Sequence, residues 1–76
     1  MKIIIVGCGK VGKATIESLI KEKHNIVAID HNPKVIEMVT NTYDVMAVCG
    51  LATSLEILQE AGVSQADLFI AVTQND

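Results

Sequence analysis

The sequence contains no arginine and no tryptophan, a single proline at Pro33, and only two aromatic residues, Tyr43 and Phe69. With no arginine and a net charge of −3 it lacks the basic face that a nucleic-acid partner demands, so none is expected. No apolar run approaches the roughly 20 residues of a membrane span, which argues against membrane insertion. The opening MKIII is without the longer apolar core and small-residue cleavage site of a secretory leader. A cytoplasmic location is the resulting expectation. Cysteine is scarce too. Cys8 and Cys49 fall at the ends of the first and third predicted strands, about 9.5 Å apart if one strand lies between them. A disulfide spans no more than roughly 7 Å between Cα atoms, so both thiols are expected to be free. Cys8 lies near a helix N-terminus, which would lower its pKa, or it merely fills an unconstrained loop position. No His, Cys or Asp cluster has metal-ligand spacing, and no serine or cysteine triad or Tyr-x-x-x-Lys pair is present. The chain is therefore not expected to be an enzyme.

What is present is enough apolar material for one small core, with 50% hydrophobic residues in 76. Ile3 to Val6 is unbroken apolar sequence, and Gly7, Gly9 and Gly12 follow at G-x-G-x-x-G spacing. An apolar strand, a glycine-rich turn and a helix, in that order, form the fingerprint of a dinucleotide site. Gly7 permits the tight turn, Gly9 lets backbone approach a pyrophosphate, and Gly12 lets helix and strand pack closely. Lys10 and Val11 fill the x-x of the loop, and Lys10 reads equally as a phosphate contact or a solvated helix residue.

Along the chain, the first strand is Lys2 to Val6, apolar at successive positions and so expected to be covered on both faces. A helix from about Lys10 to Lys23 follows, with Gly12, Ile16, Leu19 and Ile20 inward and Lys21 and Lys23 at the negative end of its dipole. The second strand, Ile26 to Asp30, leads into Asn32 as N-cap and Pro33 as first helical residue. That helix runs to about Asn41 with Ile36, Val39 and Tyr43 inward, and the third strand is about Val45 to Cys49. Thr53-Ser54-Leu55-Glu56 has capping-box form and starts a third helix whose stripe is Leu55, Leu58 and Ala61. Gly62 is its left-handed C-cap, Ser64 to Asp67 a polar turn, and Leu68 to Thr73 the fourth strand. His24 belongs to a turn at the end of the sheet away from the glycine loop and reads as a surface residue.

Alternating strands and helices with right-handed crossovers predict an α/β fold, a partial Rossmann fold with a parallel sheet in the order 3-2-1-4 and helices on both faces. Residues 1–76 read as a single dinucleotide-binding domain lacking the last strands of the full fold, with a bare apolar edge on the fourth strand. Asp30 ends the second strand 18 positions after Gly12, near where a carboxylate accepts hydrogen bonds from an adenosine ribose. That favours NAD over a 2′-phosphorylated dinucleotide. His31 lies on the adenosine side, either as a contact or as a plain loop histidine.

Three segments together, IIIVGCGKVG, IVAIDHNP and CGLATSLEILQEAGVSQADLFIAVTQND, resemble the TrkA-N domains, also called RCK or KTN domains. The resemblance covers the whole chain. It rests above all on G-x-A-T, L-x-x-A-G-V, A-D and A-V-T-x-x-D at their spacings. It implies a cytosolic domain that binds NAD(H), or ATP and ADP, and regulates a membrane potassium channel or transporter as a homodimer or larger ring. Carried over by position, Gly7, Gly9, Gly12 and Lys10 would hold the pyrophosphate and Asp30 the ribose. Gly50, Ala52 and Thr53 would line the adenine, and Thr73 would approach the distal ribose. Leu51 stands where the family commonly has Asp or Asn, which replaces polar recognition of the adenine by apolar packing. The alternative reading is the N-terminal half of an oxidoreductase's NAD-binding domain, which fits the glycine loop and Asp30 equally well and the second half of the chain poorly.

Overall fold

A computed structural model describes residues 1–51 and 54–72. The predicted Thr53 cap and the end of the fourth strand at Thr73 lie outside these residues. The order of elements is β1 (Lys2–Val6), α1 (Lys10–Ile20), β2 (Asn25–Asp30), α2 (Pro33–Thr42), β3 (Met46–Cys49), α3 (Leu55–Glu60), a short 3-10 turn (Val63–Gln65) and β4 (Leu68–Ala71). All pairings are parallel and the sheet runs β3-β2-β1-β4, the order that right-handed crossovers require. In register, Ile4 stands between Val27 of β2 and Phe69 of β4.

The pleat sorts the apolar runs into two cores. Ile3, Ile5, Ile26 and Ala28 point to one face, where Ile16 of α1 and Val39 of α2 close over them. Ile4, Val27, Ile29 and Val48 point to the other, beneath Ala61 with Ile57 and Leu58 of α3. This two-sided burial is why β1 and β2 show unbroken apolar sequence rather than alternation. The helices on the first face are tied together across their outer surfaces. The Tyr43 hydroxyl donates to Glu17 at 2.6 Å, and the Lys13 ammonium meets the Met38 sulfur at 3.5 Å.

Several local expectations are revised. Helix α1 ends at Ile20, three residues early, so neither Lys21 nor Lys23 lies in its last turn. The chain instead tightens through Glu22 N–H to Leu19 and Lys23 N–H to Ile20, and Lys23 takes a left-handed φ of 60° to turn into β2. Helix α3 is capped by Ser54, whose side chain makes no capping hydrogen bond. Its inward positions are Ile57, Leu58 and Ala61, while Leu55 is left 67% exposed. Gly62 does adopt the left-handed conformation, at φ 79°, and the polar stretch after it contains the 3-10 turn. Asn32 caps α2 as expected, its side chain accepting from Lys34 N–H at 3.0 Å.

Candidate functional site

The C-terminal ends of the strands form a cavity of about 250 Å³ lined by Val6, Gly7, Ile29, Asp30, His31, Gly50, Leu51 and Val72. It sits where β1 sends its connection to one side and β4 lies on the other, the switch point at which open parallel sheets bind ligands. Five of the residues singled out from the sequence, Gly7, Asp30, His31, Gly50 and Leu51, meet there. Gly9 as N-cap and Lys10 and Val11 as the first residues of α1 lie outside the lining, with Lys10 and Val11 exposed, and Gly12 is a buried residue of α1 facing the Gly7 turn. Ala52, Thr53 and Thr73 fall outside the described residues. Val6, Ile29 and Val72 were missed. Their signal was available, since each is the last or next-to-last apolar residue of a parallel strand, or follows it directly.

Three glycines act in three ways. Gly7 turns the chain at φ 91°, and a Cβ there would lie 2.1 Å from the Val72 carbonyl oxygen. Gly12 allows α1 to touch the turn, because its Cβ would lie 2.1 Å from the Gly7 carbonyl oxygen. Gly9, the N-cap of α1, holds φ −71° and ψ −161°, a conformation open to any residue. No side-chain hydrogen bond caps this helix and its first turn carries no acidic residue, so neither a cap nor a first-turn acid offsets the positive end of its dipole.

Asp30 is the buried charged residue of the core, 4% exposed. One carboxylate oxygen accepts from Cys8 N–H at 2.9 Å, and the other from Asn32 N–H at 2.9 Å. Its backbone carbonyl accepts from Gly50 N–H at 2.9 Å. The His31 ring lies alongside, Nδ1 3.7 Å from Oδ1, and is largely exposed. Both carboxylate oxygens are held by backbone donors beside the cavity.

Cys8 departs from both expectations. Its side chain is fully buried rather than loosely placed, and its Sγ lies 3.9 Å from the Ile29 carbonyl. Burial, reinforced by the negative charge of Asp30 and only partly opposed by Lys13, pushes the thiol up to about 11. The helix terminus does not lower it, because desolvation penalises the thiolate more than the dipole favours it. The raised value favours folding below pH 9, and that contribution is lost as pH rises from about 9 toward 11. Cys49 is exposed, and both thiols are free. At pH 8, iodoacetamide is expected to alkylate Cys49 and spare Cys8 until denaturant is added. Equal rates at the two cysteines in the native chain, read by peptide mass, would refute the buried placement of Cys8.

At the opposite end of the sheet a groove of about 590 Å³ is lined by residues including Lys2, His24, Asp44 and Met46. His24 is half-buried there beside Glu22, at 3.3 Å, away from the switch point as expected. Among the described residues no three His, Cys, Asp or Glu side chains converge as a metal site, and no helix is long and apolar enough to cross a membrane.

Residues 3–76 match the family model of the TrkA-N domain. The Trk system potassium uptake protein TrkA of Vibrio alginolyticus is 40% identical over 76 residues, which is all of this chain and 17% of that protein. The Trk system potassium uptake protein TrkA homolog of Methanothermobacter thermautotrophicus is 33% identical over the same length, covering 35% of its own. The crystal structure of the TrkA-N domain of the inner membrane protein ybaL from Escherichia coli superposes with a TM-score of 0.89 at 28% identity, over 97% of this chain and 54% of that one. The chain thus spans between a sixth and about a third of these potassium uptake proteins. By sequence along its length and by its sheet order, the chain belongs to the TrkA-N domain family.

Proposed function

We propose that the chain is a nucleotide-sensing regulatory domain of a potassium uptake system, acting on the cytoplasmic side of a membrane channel or transporter. The observation that carries this reading is the placement of the Asp30 carboxylate beside the glycine turn in one cavity at the switch point. Gly9 and the first turn of α1 would hold the phosphates on N–H groups, with Lys10 and Val11 at the rim. Asp30 would accept ribose hydroxyls, His31 would flank them, and Gly50 and Leu51 would pack on the adenine, with Ala52, Thr53 and Thr73 completing the site. The cavity is slightly smaller than the roughly 300–1,000 Å³ of a complete small-molecule pocket, so it suits the nucleoside part, with the phosphates lying along α1.

NAD(H) is the ligand this reading favours, and ATP and ADP share the adenosine and phosphates that the site would read. Residues 1–76 are read as one nucleotide-binding domain. Catalysis has no part in this reading. Binding would bias the domain between two arrangements, to the extent that it favours one over the other. A homodimer or larger ring gives such a bias something to act on, and the exposed Leu68 and Phe69 of β4 supply apolar surface for assembly.

The test is calorimetric titration of the chain with NADH and ADP, alongside Gly9→Ala. The variant should fold normally, since φ −71° suits alanine, and should bind about tenfold or more weakly because a methyl intrudes where phosphate and backbone meet. Absence of binding to the unaltered chain would sink the nucleotide reading. Undiminished affinity in the variant would remove the glycine turn from the site.

A further inference from the structure

Three loops border the cavity from β1, β2 and β3, and each is hydrogen-bonded to one residue. The turn after β1 donates Cys8 N–H to Asp30 Oδ2 at 2.9 Å, and the turn after β2 donates Asn32 N–H to Oδ1 at 2.9 Å. The turn after β3 donates Gly50 N–H to the Asp30 carbonyl at 2.9 Å. Asn32 extends the chain of contacts by capping α2 through Lys34 N–H. The carboxylate is 1% exposed, so its bonds are screened little by water.

We propose that Asp30 is a positioning residue as well as a ribose contact: its carboxylate fixes the phosphate-binding turn through Cys8 and the start of α2 through Asn32, so that it supports the binding of ligands that have no ribose hydroxyls. Backbone amides grip a phosphate only if they already point at it, and Gly7 and Gly9 on either side of Cys8 give the turn little stiffness of its own. An amide at position 30 keeps the shape but replaces one acceptor by an NH₂ facing an N–H donor. One of the two loops must then let go.

The ligand part of this inference rests on the nucleotide reading above, and the test separates the two. Asp30→Asn and the unaltered chain are titrated with ADP and with 2′,3′-dideoxy-ADP, and amide hydrogen exchange is followed in the absence of ligand. The expected result is an affinity loss of about tenfold for both nucleotides. Exchange at Cys8 or Asn32 should quicken by a similar factor while Ile4 and Val27 stay protected. A loss confined to ADP, with dideoxy-ADP binding unchanged, would overturn the positioning role and leave a ribose contact alone. If neither nucleotide binds the unaltered chain, the nucleotide reading fails, and exchange at Cys8 and Asn32 still decides the positioning role. If Asp30→Asn does not fold, the unaltered chain decides it in the same way. Slow exchange of both amides supports the hydrogen bonds, and exchange at the rate of an unstructured peptide overturns them.

Discussion

Gly7→Ala is expected to lower the stability of the chain by about 3 kcal/mol or more, a large share of what a domain of this size has. Two costs coincide. The backbone is held at φ 91°, where an L side chain is strained by about 1–3 kcal/mol. The new methyl would also lie 2.1 Å from the Val72 carbonyl oxygen, which is backbone and cannot swing away. Retreat is closed on both sides, because Gly7 N–H bonds to Ile29 and Val72 N–H bonds to Val6, each at 2.8 Å. Urea denaturation followed by circular dichroism measures the loss, and a change below about 1 kcal/mol would show that the turn has room to relax. The result also governs how binding data are read. Weak nucleotide binding by a Gly7 variant reports damage to the fold, whereas the same loss in Gly9→Ala reports the site.

Ile4→Ala should be comparably severe, at about 2–5 kcal/mol. Ile4 is fully buried in the central strand, flanked by Val27 and Phe69 and covered by the core that Ala61 completes. Removing its outer carbons costs their transfer from water and leaves a cavity that the strands on either side cannot collapse to fill. A domain of this length has about 4–11 kcal/mol in total, so the melting midpoint should fall by roughly 10 °C or more. Ile4→Val removes one methylene and should cost only about 0.5–1.5 kcal/mol. If the two variants melted together, packing at Ile4 would not be limiting.

The strands were legible because the two-sided core writes itself into the chain as unbroken apolar runs, and the sheet order followed from the handedness of the crossovers. Asn32, Pro33 and Gly62 were legible for a local reason, since each has a backbone or capping requirement that few residues meet. The misses are tertiary. Leu55 fits a helical stripe, yet α3 is a short helix whose rotation is set by Ile57 and Leu58 against the sheet. Lys23 has ordinary helix chemistry, and only the need to aim Asn25 into β2 pulls it into a left-handed turn. Cys8 has the sequence position of an activated thiol and the surroundings of a core residue, and burial wins. Within the candidate site, the spacing from Gly12 to Asp30 located the carboxylate. It gave no hint that Cys8, Asn32 and Gly50 would all donate to that residue, because those bonds exist only once three loops are brought to one sheet edge.

The central position of β1 has a consequence for the order in which the molecule is made. A ribosome releases the N-terminal strand first, and β1 can pair with β2 as soon as residue 30 is free. Its other edge has no partner until Leu68–Ala71 has emerged. At about 5–20 residues per second that interval lasts roughly 2–8 s. Throughout it the nascent chain carries an isoleucine-rich edge open to any passing strand, and pairing with β4 is what covers that edge.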